Sequence, residues 1–273
     1  MRDAVRHIGR LAATLWGWFV FVVGCLVWGV LVIPATLLLA GHWPGANERF
    51  NTLTRAILRL YIRTLPFLRI LVDGEDRRLR GPRILVANHQ SWLDPIVMIS
   101  LEPGLSGPAR RYMFRVPVVR TIISIAGFFP SDTGEISPLD PMHDCARAGR
   151  ERGGGLLFFP EGTRSRTGEI GPFHRGAFRV AVDHELPIQP VVIDGLDRVL
   201  PPGHLIAQAP GRYPVRVRYL TPIEPPFEGG ARRDVERALA DQVRGILVEA
   251  LARSRAERAG GSEPEPGAPG IRG

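Results

Sequence analysis

Arg83-Ile-Leu-Val-Ala87 runs directly into Asn88-His89-Gln90-Ser91-Trp92-Leu93-Asp94, and this junction decides how the chain is read. A short apolar run stopped by a polar block predicts a buried strand ending at Asn88. Asp94 to Leu101 then predicts a helix. The same texture recurs downstream. Leu156-Leu-Phe-Phe159 reads as a second buried strand, ended by Pro160. Ile188 to Ile193 reads as a third, and Val215 to Leu220 as a fourth with period-two alternation. Pro117 to Ala126, Asp140 to Arg152 and Ala177 to Asp183 read as helices between them. Strands interleaved with helices imply an α/β layered fold, in which ligands sit at the C-terminal ends of strands.

Two polar blocks occupy such ends. In the first, His89 is the residue type suited to accept a proton at neutral pH. Asp94 lies five residues on, where a turn into a helix folds its carboxylate back onto the imidazole and leaves one ring nitrogen as a base. Taken alone, this pair equally describes a satisfied histidine beside a helix-capping aspartate. The second block is Phe159-Pro160-Glu161-Gly162-Thr163-Arg164-Ser165. It offers an approachable backbone, a hydroxyl and a guanidinium, groups that suit a phosphate monoester. Arg166 and Arg175 are further basic candidates nearby, and a strand-end turn with a solvated arginine is the plainer reading of the block.

Upstream, no charge interrupts Leu11 to Ala40, a run longer than the roughly 20 residues that cross a bilayer as a helix. Trp16, Trp18, Trp28 and Trp43 are spread along it and its edge, as interfacial indoles are. A cleaved signal peptide would have a shorter core. A single span and a hairpin bending near Gly24 or Gly29 both remain. Arg2, Arg6 and Arg10 precede the run and Arg49, Arg55, Arg59 and Arg63 follow it, which suits both ends on the cytoplasmic side. Arg55, Arg59 and Arg63 share one helical face, either against an anionic leaflet or solvated on a packed helix.

The chain carries 35 basic residues against 27 acidic ones, and all of the basic ones are arginine. A GC-rich genome accounts for that equally well. The charge suits an anionic surface or substrate, and with no zinc-finger spacing or other nucleic-acid signature, the membrane and phosphate readings lead. The absence of lysine removes any Schiff-base or P-loop chemistry. Cys25 lies in the apolar run and Cys145 far from it, so no disulfide framework is expected. The predicted organisation is a membrane-embedded segment over 1–45, a basic amphipathic helix over 46–71, a catalytic domain over 72–230, an amphipathic helix over 231–258, and a disordered Gly/Pro-rich tail over 259–273.

The two blocks in series resemble the NHxxxxD and FPEGTRS motifs of the glycerolipid acyltransferase family (PlsC-type, 1-acylglycerol-3-phosphate O-acyltransferases). Gly171-Pro-Phe-His-Arg-Gly-Ala177 is similar to its PF-x-x-G-A segment, and Leu186 to Ile193 to its VPIxPVxI block. The resemblance covers roughly Arg83 to Gly195. It implies a mixed sheet flanked by helices behind an N-terminal membrane helix or hairpin. It implies His89 as general base and Asp94 as its orienting partner, with Asn88, Glu161, Gly162, Thr163, Arg164 and Arg111 binding substrate. It implies direct acyl transfer from acyl-CoA or acyl-carrier protein to the sn-2 hydroxyl of 1-acyl-sn-glycerol 3-phosphate, giving phosphatidic acid. No acyl-enzyme, cofactor or metal is implied. The partners are then the lipid bilayer, the lysophospholipid acceptor and the thioester donor, on the cytoplasmic face of the cell inner membrane.

The chain departs from the family between the main motifs. Arg110 and Arg111 stand where lysines are usual, and Thr133 stands where an arginine associated with acceptor phosphate is usual. That opens the acceptor to a lyso-ornithine lipid or another lysophospholipid. The competing classes are a thiol enzyme using Cys145 and a non-catalytic membrane-binding module.

Overall fold

The computed structural model describes residues 2–40, 46–131, 139–209, 211–227 and 229–260. Seven strands are assigned: β1 (Leu68–Asp73), β2 (Arg83–Ala87), β3 (Leu105–Ala109), β4 (Phe128–Pro130), β5 (Gly155–Phe158), β6 (Ile188–Asp194) and β7 (Tyr213–Tyr219). They form one sheet in the order β1-β7-β6-β2-β5-β3-β4. The β6–β7 pair is antiparallel and every other pair is parallel, so the sheet is mixed. The helices are α1 (Arg2–Val27), α2 (Ile33–Ala40), α3 (Ala46–Thr64), α4 (Asp94–Leu101), α5 (Pro117–Ile125), α6 (Leu139–Arg152), α7 (Gly176–Asp183), α8 (Leu196–Val199) and α9 (Arg232–Ala259).

The central strands are buried on both faces, which is why they read as unbroken apolar runs. Alternate residues feed two cores. Leu85, Ala87, Leu157, Val191 and Ile193 meet Tyr61, Ile62, Leu93, Val97 and Met98 from α3, the motif loop and α4. Ile84, Val86, Leu156, Phe158 and Val192 meet Phe178, Val180, Val243, Leu247 and Leu251 from α7 and α9. The sheet is therefore the middle layer between two helical layers.

The strands and helices expected from Arg83 onward are present with ends within about two residues, the amphipathic helix expected over 46–71 ends earlier, at Thr64, and three strands are added. One of them moves a boundary: the division expected at residue 71 falls inside β1. The C-terminal helix is likewise no separate unit, since its apolar face completes the second core. Of the tail expected over 259–273, residues 261–273 lie outside the described residues, as do Trp43 and Thr133.

The N-terminal helix passes Gly24 and Gly29 without the chain reversal expected there. It continues through a π-helical turn at Trp28–Val32 into α2. At Gly29 the lost side chain admits Val118 of α5, whose methyl would lie 3.0 Å from an added Cβ. The return arm of the hairpin is α3. Phe21 meets Tyr61 with ring centroids 5.8 Å apart, Trp28 meets Phe50 at 5.6 Å, and Trp16 Nε1 donates to the Thr64 carbonyl at 3.1 Å, so the two arms run antiparallel.

His7 to Ala35 is long and apolar enough to cross a membrane by length and composition. Its outer face exposes Leu15, Phe19, Leu26, Val30 and Leu31, joined by Leu53 and Leu60 of α3. A continuous apolar surface of this kind calls for a non-aqueous partner. Of the basic face considered from sequence, Arg63 is exposed but Arg55 and Arg59 turn to the protein. Arg55 and Arg59 donate to the Ser100 carbonyl, each at 3.3 Å, and Arg55 also to that of Leu101 at 3.0 Å. There they cap the negative end of the α4 dipole. Arg78 joins them on Leu101 at 2.7 Å and pairs with buried Glu102 at 2.8 Å, and Arg83 pairs with the other oxygen of Glu102. This charged cluster sits where β2 begins, at the opposite end of the strand from His89.

Candidate active site

Parallel β2 and β5 are register partners, Val86 against Phe158, so both polar blocks leave the sheet at the same end. The blocks then bond directly: Ser165 N–H donates to the His89 carbonyl at 2.8 Å. The two blocks are thus joined through their backbones at one end of the sheet.

Asp94 is the first residue of α4 and is fully buried. Its Oδ2 lies 2.7 Å from His89 Nδ1 and accepts the N–H groups of Gln90 at 2.6 Å and Ser91 at 2.7 Å. The turn is therefore built around the carboxylate, which fixes the imidazole by Nδ1. Nε2 has no hydrogen-bond partner among the described residues, and Phe159 stacks on the ring with centroids 4.3 Å apart. A neutral imidazole so held donates from Nδ1 and keeps a lone pair on Nε2.

Two expected binding residues have other work in this structure, and a third is less well placed than its neighbour. Asn88 is buried, its Nδ2 donating to the Ile193 carbonyl and its Oδ1 accepting the Ile193 N–H, both at 2.8 Å. Its amide is committed to β6, not to a ligand. Glu161 accepts the His89 N–H at 2.8 Å through Oε1 and the Gly171 N–H at 3.0 Å through Oε2. Burial raises its pKa, against the opposing effect of these backbone donors. A carboxylate would also repel a phosphate, so Glu161 braces the two loops. Arg111 opens an exposed 3-10 turn, Arg111–Arg115. Its neighbour Arg110 is the one that reaches the second block, donating through Nη2 to the Gly162 carbonyl.

The remaining expected residues stand open to a ligand. Thr163 is exposed and Arg164 half-buried, and neither side chain has a hydrogen bond or ion pair among the described residues. Gly162 adopts φ +67°, a conformation that strains other residues, and a Cβ there would crowd the His174 ring at 3.0 Å. No cluster of three metal-ligating side chains occurs among the described residues. Cys145 lies on α6, outside this site. Its Sγ donates to the Gly127 carbonyl at 3.4 Å, and burial pushes its pKa up to about 11.

A family model described as acyltransferase matches residues 69–194, which contain both blocks and five of the seven strands from their first residue onward. Human 1-acyl-sn-glycerol-3-phosphate acyltransferase alpha is 30% identical over 255 residues, covering 90% of this chain and 82% of the relative. The chain belongs to the glycerolipid acyltransferase family. Another member, the chloroplastic 1-acyl-sn-glycerol-3-phosphate acyltransferase of Brassica napus, is 30% identical over 192 residues, and the chain spans about half of that relative's length, 54%. The crystal structure of the 1-acyl-sn-glycerophosphate acyltransferase PlsC from Thermotoga maritima shares the fold, with TM-score 0.75 at 20% identity over 92% of this chain and 98% of that one. The membership accounts for the polar blocks, and the apolar hairpin associates this family member with a membrane.

Proposed function

We propose that this acyltransferase family member transfers a fatty acyl group from a thioester donor, acyl-CoA or acyl-carrier protein, to the sn-2 hydroxyl of 1-acyl-sn-glycerol 3-phosphate, giving phosphatidic acid. The observation that carries the proposal is the His89–Asp94 pair bonded to the loop that presents Thr163 and Arg164. His89 Nε2 takes the proton of the acceptor hydroxyl as its oxygen attacks the thioester carbonyl. The tetrahedral intermediate collapses with the thiolate as leaving group, and the imidazolium returns the proton to sulfur. Buried Asp94 stabilises the imidazolium between these steps. Arg164 pairs with the acceptor phosphate, aided by the Gly162–Thr163 backbone, with Arg110 fixing the loop from the far side.

Relatives named for 1-acyl-sn-glycerol-3-phosphate support this acceptor. The apolar face of α1, α2 and α3 suits contact with a bilayer, with which a one-tailed acceptor and a two-tailed product would be exchanged. Basic residues on both flanks of the run favour the cytoplasmic face of the inner membrane. The test is purified protein in mixed micelles with one acyl-CoA and a panel of lysolipids, followed by thiol release. Release dependent on lysophosphatidate is expected. Release with a lyso-ornithine lipid but not with lysophosphatidate would reassign the acceptor, and none with any acceptor would leave a membrane-binding module.

A further inference from the structure

The family match stops at residue 194, yet the loop that completes the site is held by a helix beyond it. Residues 165–171 form no strand or helix, so their carbonyls need partners from elsewhere. α9 supplies them. Arg244 Nε donates to the Gly171 carbonyl at 2.8 Å and its Nη2 to that of Ile170 at 3.0 Å. About three turns later, on the same face, Arg255 Nη2 donates to the Gly168 carbonyl at 2.6 Å.

Both contacts lead back to the first motif. Gly171 N–H donates to Glu161 Oε2 at 3.0 Å, and Glu161 Oε1 accepts the His89 N–H at 2.8 Å. The Gly168 carbonyl also accepts Gln90 Nε2 at 3.2 Å. Two routes therefore run from α9 to the segment between His89 and Asp94, each through one loop peptide. The Arg244 fork is planar and takes two consecutive carbonyls at once, which sets both the height and the tilt of the Gly171 peptide.

We infer that Arg244 is a positioning residue for the acyl transfer: through Gly171 and Glu161 it sets where His89 stands. This rests on the acyltransferase reading for its kinetic consequence, but not for its structural one. Displacement of a base by about 1 Å costs on the order of 100-fold in rate without weakening substrate binding.

The test compares Arg244→Ala, Arg244→Lys and Arg237→Ala in the full chain in mixed micelles. Arg237 is an exposed neighbour on the same helix and serves as control. Two readouts are used: kcat and KM for acyl-CoA and lysophosphatidate, and amide hydrogen exchange of the peptide covering Asn88 to Asp94. Arg244→Ala is expected to lower kcat about 10- to 100-fold with both KM values near the parent's, and to speed exchange at His89 to Ser91. Arg244→Lys should recover part, since an ammonium lacks the planar two-carbonyl fork. Arg237→Ala should change neither. Unchanged exchange at His89 to Ser91 in Arg244→Ala, unchanged kcat, or an equal loss in Arg237→Ala would each overturn the inference. If the parent protein itself releases no thiol, the functional reading fails, and the exchange comparison still decides whether Arg244 braces His89.

Discussion

Trp18 of α1 stacks on Trp92 of the first motif, with ring centroids 5.3 Å apart and planes inclined by 20°. Trp92 lies between His89 and Asp94 in sequence, so the apolar helix touches the turn that pairs these two residues. Phe21 meets the same indole edge-on at 6.1 Å, and Trp18 Nε1 ties the helix to the Leu205 carbonyl at 3.0 Å. Trp18→Ala removes an aromatic contact of about 0.5–1.5 kcal/mol and the area it covers. Turnover is expected to fall several-fold while Trp18→Phe keeps most of it, measured as thiol release at saturating substrates. Equal activity in Trp18→Ala would uncouple the helix from the turn.

His89→Ala is expected to lower kcat by about 100- to 10,000-fold, the range for loss of a positioned base, with a parental unfolding temperature. Asp94→Asn should also lower kcat severely. An amide oxygen in the Oδ2 position can still accept from Nδ1, Gln90 and Ser91, but the neutral amide lacks the charge that stabilises the imidazolium and puts a buried NH2 where Oδ1 has no partner among the described residues. Near-parental turnover in His89→Ala would remove the base from the mechanism.

Arg164→Ala should raise the KM for lysophosphatidate about 10-fold or more and leave that for acyl-CoA unchanged, since a charge-assisted bond contributes roughly 1.5–3 kcal/mol. Arg164→Lys should recover only part. A rise confined to the donor KM would move the phosphate site away from this loop.

The Cys145 thiol has its pKa raised by burial from 9.0 to about 11. A group with a raised folded-state pKa adds no penalty below its ordinary value and destabilises the fold as pH rises through the shifted one. Alkylation of the Cys145 peptide by iodoacetamide, followed by mass spectrometry, should be slow at pH 7.5 and accelerate only as the pH nears 11. Activity should survive it. Fast alkylation with loss of turnover at pH 7.5 would revive a thiol mechanism.

Glu102 is buried between Arg78 and Arg83 at the end of the sheet away from His89. Glu102→Ala leaves Arg83 buried without its partner and should destabilise the protein by about 3–5 kcal/mol. Denaturant unfolding measures this. The kcat of the folded fraction should stay close to the parent's.

The central strands were legible because burial on both faces writes them as apolar runs, and both motifs because they follow such runs. β3 was not legible: Leu105-Ser-Gly-Pro-Ala109 carries the glycine and proline that normally mark a turn. Gly107 is needed there because an added Cβ would strike the Leu157 carbonyl at 2.4 Å. β4 is three residues long, too short for any period to show. Within the site, residue type and spacing pointed to a His89–Asp94 pair, which the 2.7 Å contact matches in geometry, whereas the family resemblance assigned Asn88 and Glu161 to substrate. Their partners are backbone groups of Ile193, His89 and Gly171, which no side-chain pattern reveals. Arg110 and Arg111 are indistinguishable in sequence, and only the exit direction of β3 separates them. Arg244 and Arg255 carry no local signal at all, since an arginine on a helix reads as solvated.

The Asn88 amide offers Ile193 one donor and one acceptor, as a peptide group would. It adds a rung to the ladder just where β2 must turn away from its neighbour. A slip of one residue between these strands would exchange inward for outward at every position, and would break this rung first. The alignment of the His89 imidazole is in that sense written into strand registration, and one side chain imitating main chain is the lock.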